Sequence, residues 1–180
     1  MSFAQMIEHI INIEGDISMD PDDPGNWTGG AKGKGQLKGT RYGISAAQFP
    51  NEDIVHLTKA RAIELYAERY YHAPKIDLLP DDYQLLVLDA TIHHGPGVKR
   101  GRLEDDGGIR FFQRALGVTD DGTIGPQTLQ AARDANPLLV NSRSLGYRLH
   151  YMTYLQTWSK NSRGFARRIA GHLINLQEPR

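Results

Sequence analysis

SFAQMIEHIINIEGDISMDPDDPG, residues 2–25, decides the fold class, because a helical period stops inside it and turn chemistry takes over. Phe3, Met6, Ile7, Ile10 and Ile11 follow the i, i+3, i+4, i+7, i+8 spacing that gathers apolar side chains on one helix face. The spacing predicts an amphipathic helix over 2–14, opened by a Ser2/Gln5 capping box and stopped by Gly15. Beyond it, Pro21 and Pro24 block helix, and the aspartates and glycine around them favour turns.

Downstream, GGAKGKGQLKG (29–39) holds five glycines in eleven positions, a flexible loop or β-hairpin rather than a helix. Ser45 is placed to cap a short helix at 46–49. Thr58 is placed to cap one over 59–72, packing through Ala60, Ile63, Leu65, Ala67 and Tyr70. Asp81 or Asp82 would cap a very apolar helix over 83–94, which GPG at 95–97 ends. Further helices are predicted at 109–116, 126–135, 137–158 and 163–176, with Pro126 at a first helical position. The pattern is mainly α, with one irregular or short-β insertion near the front.

The 180 residues suit one domain with a real core. With 21 basic and 21 acidic residues, nothing steers the whole chain toward nucleic acid. No cysteine is present, so disulfides and thiolate metal sites are excluded. No apolar run reaches a membrane span, and MSFAQMIEHIINIEGD lacks the basic start and cleavage site of a secretory signal. The expectation is a monomer made in the cytoplasm without a signal peptide. If its target lies outside the inner membrane, a holin or another export route must release it.

The charges are unevenly placed. Glu8, Glu14, Asp16, Asp20, Asp22 and Asp23 make the first 26 residues acidic; Lys32, Lys34, Lys38 and Arg41 make the next stretch basic. Arg143, Arg148, Lys160, Arg163, Arg167 and Arg168 make the C-terminal helices basic, able to meet an anionic wall or membrane surface.

Glu14 stands on the last turn of the first helix, where the negative end of the dipole disfavours a carboxylate. That raises its pKa, as a general acid requires. Asp23 follows after eight residues on a turn-rich loop, solvated and ionised. Two carboxyls in contrasting environments are the arrangement of glycosidases. Asp20, Asp22 and Asp23 offer alternating oxygens such as Ca²⁺ takes, but the EF-hand spacing is absent. Neither a metal nor a cofactor is expected.

Six motifs carry a family resemblance: IEGD (13–16), DPDDPG (20–25), TRYGIS (40–45), LTKARAIELYAERYY (57–71), LLVLDATIHHGPG (85–97) and FFQRALGVTDDGTIGPQTL (111–129). In this order they resemble the glycoside hydrolase family 108 muramidases, found among phage endolysins and secretion-associated lysozymes. The resemblance implies a single lysozyme-like domain over 1–180, with a catalytic part at 1–106 and a dependent C-terminal peptidoglycan-binding part at 107–180. It implies peptidoglycan as substrate, Glu14, Asp23 and Thr40 as catalytic residues, and Tyr42, Tyr71, His93 and His94 as substrate contacts. The sequence departs from the family at Asp16, where a second glycine is usual. It departs again in NWTGGAKGKGQLKG, which puts sixteen residues between Asp23 and Thr40 and makes Thr28 the rival for the threonine role. The implied reaction is hydrolysis of the β-1,4 bond between N-acetylmuramic acid and N-acetylglucosamine, with inversion. A lytic transglycosylase forming 1,6-anhydro ends, or a wall-binding protein without activity, stays open as an alternative.

Overall fold

The computed structural model of the protein describes residues 1–10, 17–97 and 106–176. Among them stand seven α-helices and one two-stranded antiparallel hairpin. This is the mainly helical architecture that the sequence predicts. The chain gathers into two compact units, Met1–Glu68 and Arg69–Arg180.

In the first unit, α1 (Phe3–Ile10) buries Met6, Ile7 and Ile10 on the predicted face. Its capping box forms: the Ser2 N–H donates to Gln5 Oε1 (2.8 Å) and the Gln5 N–H to Ser2 Oγ (3.3 Å). The predicted continuation to residue 14 lies outside the described residues. α1 packs against α2 (Lys59–Tyr66), whose first turn is capped by the Thr58 hydroxyl. The inner face of α2 is Ala62, Leu65 and Tyr66 rather than the predicted Ala60 and Ile63. Its predicted continuation to residue 72 is a π-helical turn, Ala67–His72.

Strands β1 (Thr40–Arg41) and β2 (Ile44–Ser45) pair Thr40 with Ser45 and Arg41 with Ile44. Tyr42 and Gly43 connect them, both left-handed at φ 51° and 74°. Two-residue hairpins need that twist, and a tyrosine adopts it at a cost of about 1–3 kcal/mol. The helix expected at 46–49 is a turn closed on the Ser45 carbonyl. Pro50 explains this, because it drives Phe49 out of the helical region.

The glycine-rich insertion is a closed loop. Trp27 bridges to Leu37, the Thr28 N–H donates to Gln36 O (2.9 Å), and the Gln36 N–H donates to Thr28 Oγ1 (2.9 Å). Lys32 pairs with Asp22, and Lys38 Nζ reaches the Pro50 carbonyl at 2.6 Å.

The second unit holds α3 (Asp81–His94), α4 (Gly108–Leu116), α5 (Pro126–Asp134), α6 (Pro137–Thr153) and α7 (Trp158–Ile174). Pro80, not an aspartate, occupies the cap of α3; Asp81 and Asp82 sit in its first turn, where the dipole favours acids. α4 packs on α3 and α6, and α6 on α7. The start of α4 comes so close to α3 that a Cβ on Gly108 would lie 2.4 Å from the Thr91 nitrogen.

The single helix predicted over 137–158 breaks after Thr153, and the last helix starts at Trp158, five residues early. The break has a packing reason. Leu86, Ala90, Phe111, Leu145, Tyr151, Met152 and Ile169 form the core, and Leu155, Trp158 and Phe165 fold back against it. A straight helix would carry those rings into water, and burying each is worth about 1.5–3 kcal/mol.

Candidate active site

The acidic loop resolves into three aspartates with three different tasks. Asp20 Oδ1 accepts the Asp22 N–H at 2.9 Å and so holds a turn. Asp22 pairs with Lys32. Asp23 caps the short 3₁₀ turn Pro24–Asn26, with its Oδ1 accepting the Gly25 N–H at 2.8 Å. Its side chain is exposed, and Oδ2 has no cation partner among the described residues. Asp20 and Asp23 are both exposed with one oxygen held by a backbone N–H; of the two, Asp23 caps the turn that carries Asn26.

Asn26 joins this loop to the hairpin. It is fully buried. Its Nδ2 donates to the Asp20 carbonyl (2.9 Å), its N–H to the Asp23 carbonyl (3.1 Å), and its own carbonyl accepts the N–H groups of Lys38 and Gly39. Its Oδ1 accepts the Thr40 hydroxyl at 2.7 Å. Thr40 also exchanges both backbone hydrogen bonds with Ser18 at 2.9 Å. Sixteen intervening residues therefore loop out, and Thr40 returns to the segment that carries Asp23. With its proton committed to Asn26, the half-buried Thr40 hydroxyl offers lone pairs. Thr28, the rival candidate, spends its hydroxyl on Gln36 inside the closed loop.

Tyr42 is half-buried in the first unit, with Arg41 over its ring at 5.3 Å and its carbonyl accepting the Tyr66 hydroxyl at 3.3 Å. Glu14 and Asp16 lie outside the described residues.

Tyr71, His93 and His94 belong to the second unit. Tyr71 is buried in the π turn and donates its hydroxyl to Gln84, whose Nε2 in turn donates to the Leu79 carbonyl at 2.7 Å. His94 Nε2 accepts the Arg148 Nε–H at 3.1 Å, and its ring meets Tyr151 edge-on at 5.4 Å. Burial, with the Arg148 charge, pushes the His94 imidazole down to about 3, so it is neutral. His93 donates Nδ1–H to the Asp89 carbonyl at 2.7 Å and stays partly exposed, its pKa lowered first by burial. The structure thus gathers Asp23, Thr40 and Tyr42 in one unit and commits Tyr71 and His94 to internal hydrogen bonds in the other.

Two organising residues escape sequence reasoning. Asn26 looks like any turn asparagine. Asp89 carried a signal: an acid inside the apolar run YQLLVLDATI must be paired if buried. It is 1% exposed and pairs with Arg148, with Arg168 (2.6 Å) and with His172 (3.1 Å). Burial pushes its carboxyl up, but the His172 hydrogen bond and the Arg148, His93 and Arg168 charges outweigh it. They hold it far below the usual carboxylate range. Arg148 and Arg168 therefore face inward, leaving Arg143, Lys160, Arg163 and Arg167 as the exposed cations of the two last helices. Among the described residues, no group of three acids or histidines is placed to hold a metal ion.

Residues 7–95 match the family described as Glycosyl hydrolase 108, and residues 107–165 match that described as Predicted Peptidoglycan domain. The chain is also similar to the solved structure of Brucella abortus SagA, at 26% identity and a TM-score of 0.71, over 94% of this chain and 90% of that one. No curated protein is a significant match. The fold and these matches define the class, a glycoside hydrolase of lysozyme type acting on peptidoglycan. More particularly, the chain belongs to glycosyl hydrolase family 108, with a peptidoglycan-binding region behind its catalytic one.

Proposed function

We propose that the enzyme is an N-acetylmuramidase that cleaves the β-1,4 bond between N-acetylmuramic acid and N-acetylglucosamine with inversion. Glu14 protonates the leaving glycosidic oxygen. Asp23 takes a proton from a water on the opposite face of the sugar, and Thr40 accepts a hydrogen bond from that same water. The C–O bond to the leaving sugar breaks as the water oxygen bonds to the anomeric carbon. The proton held by Asp23 then returns to solvent. An inverting pair stands roughly 6.5–9.5 Å apart to admit the water.

The observation that supports this reading is the division of labour in DPDDPG. Asp20 holds the turn and Asp22 an ion pair, while Asp23 caps the turn that carries Asn26, the residue to which the Thr40 hydroxyl commits its proton. Mass spectrometry of digested sacculi tests the reaction. Reducing N-acetylmuramic ends are expected; 1,6-anhydro ends would make the enzyme a lytic transglycosylase. Proton NMR of the first product formed reads the anomer, and retention would remove Asp23 from the role of base.

A further inference from the structure

Among the described residues, only two tyrosine, phenylalanine or tryptophan side chains stand exposed, Tyr147 at 42% and Tyr154 at 58%. Both belong to α6: Tyr147 lies within it, and Tyr154 closes it with a helical backbone, φ −90° and ψ −9°. Seven residues return a helix to within about 20° of the same direction, roughly 10.5 Å further along its axis. The two rings therefore share one face. The other side of α6 is anchored in the core by Leu145, Tyr151 and Met152. Between the tyrosines, the exposed His150 meets the Tyr154 ring edge-on at 5.1 Å, with the Tyr154 hydroxyl 3.4 Å from its Nε2.

A second observation points to something that docks on this face. Gly146 is exposed and stands in the middle of α6, one turn from both Arg143 and His150. Glycine is unfavourable in a helix interior, and no steric demand of the fold calls for it here, because an added Cβ would meet nothing within 4 Å. Its effect is to leave the backbone open beside Tyr147. Gly164 and Gly171 on α7 are open in the same way, but the large exposed side chains of that helix are cationic or aliphatic: Lys160, Arg163, Arg167, Leu173 and Ile174. Only on α6 does an open glycine stand beside exposed rings.

The composition of the face selects its ligand. No acid occurs between Asp134 and Glu178, and Arg143 is the one exposed arginine or lysine of α6. One cation is too few for a nucleic acid, whose binding rests on neutralising several phosphates. A lipid surface calls for a basic face beside an aliphatic one. Rings with polar rims suit the C–H faces of neutral sugars, and their separation is about one disaccharide, the repeat at which a β-1,4-linked chain presents the same sugar face again.

We infer that the outer face of α6 is a second glycan-binding surface, on which Tyr147 and Tyr154 stack on two N-acetylglucosamine units of one wall strand. The choice of occupant rests on peptidoglycan being the substrate. α6 lies within residues 107–165, the stretch matched as Predicted Peptidoglycan domain.

The test sediments the full chain with purified sacculi on ice and follows NMR shifts at residues 143–154 as a soluble β-1,4 oligomer of N-acetylglucosamine is added. Shifts on this face are expected. Tyr147→Leu and Tyr154→Leu should each weaken sacculus binding about tenfold, the effect of losing one central aromatic contact. Tyr147→Phe and Tyr154→Phe should keep it, because the ring remains. Gly146→Leu should weaken binding while its thermal midpoint holds or rises, and Gly164→Leu, the control on α7, should leave binding unchanged. Turnover on short soluble glycan fragments should match wild type in every variant. Equal binding by the leucine and phenylalanine variants, an oligomer that shifts no residue of this face, or equal effects of Gly146→Leu and Gly164→Leu would each overturn the inference. So would tighter binding of a single-stranded oligonucleotide or anionic vesicles at this face, or a dimer that dissociates in Tyr147→Leu. If wild type binds sacculi through the tyrosines but cuts no glycan, the muramidase reading falls and the surface stands.

Discussion

The Thr40 hydroxyl donates to Oδ1 of Asn26 at 2.7 Å, and Asn26 is fully buried. This bond connects the hairpin to the aspartate loop and leaves Thr40 only acceptor capacity toward a water. Thr40→Val keeps the shape and removes the oxygen. It should cost about 1–2 kcal/mol of stability, because Asn26 loses a partner, and should lower turnover at least about tenfold. Thr40→Ser should retain most of the activity. Urea unfolding and turbidity assays on permeabilised cells check both, and a fully active Thr40→Val would remove Thr40 from the site.

Asp20, Asp22 and Asp23 should separate cleanly. Asp23→Asn still accepts the Gly25 N–H, so stability should hold within about 1 kcal/mol, while activity falls about 10²-fold or more. Asp22→Ala breaks an exposed pair and should change stability by less than about 1 kcal/mol, with activity close to wild type. Asp20→Ala should act through the turn alone, costing about 1 kcal/mol. A rate loss in Asp22→Ala greater than in Asp23→Asn, with both proteins folded, would move the base by one residue.

In the second unit, Asp89→Ala would leave Arg148 and Arg168 facing one another without a counter-charge. Breaking a buried pair this way costs about 3–5 kcal/mol. The thermal midpoint should drop by roughly 6–20 degrees for a change on that scale. A small shift on differential scanning calorimetry would show that the network is not what holds α3, α6 and α7 together.

His94 sets the acid side of the stability profile. Its folded-state pKa is lowered from 6.5 to about 3, so between those values the unfolded chain binds the extra proton. Stability should therefore be full above pH 6.5 and fall as pH drops toward 3. Asp89, also depressed, adds its loss only below the ordinary carboxylate range. His94→Gln should flatten the profile between pH 6.5 and 4, at some cost in stability at neutral pH. Chemical denaturation across that range reads the slope, and an unaltered slope in His94→Gln would assign it elsewhere.

Much of this was legible in the sequence where local chemistry decides. The Ser2/Gln5 box, the Thr58 cap and Pro126 at the head of α5 formed as read, because each depends on residues a few positions apart. Apart from the turn at 46–49 and the Pro80 cap, which adjacent residues decide, what failed depends on partners far along the chain. The break at 154–157 answers to a core built from α3, α4 and α7, and no local period announces it. Asn26 gained its role because Thr40 returns across the insertion, and Asp89 because Arg148, Arg168 and His172 converge on it. TRYGIS read as a motif, but its two left-handed residues make it a tight hairpin, and that geometry sends Thr40 back along Ser18.

The central claim is that Glu14 and Asp23 act as acid and base on a wall glycan. Glu14→Gln and wild type should be compared at matched concentration, with equal thermal midpoints first confirmed by calorimetry. Released reducing ends from purified sacculi are then counted. The account predicts that wild type releases reducing N-acetylmuramic ends and that Glu14→Gln loses about 10³-fold or more of that rate, as removal of a general acid requires. Release within tenfold of wild type by folded Glu14→Gln would contradict it.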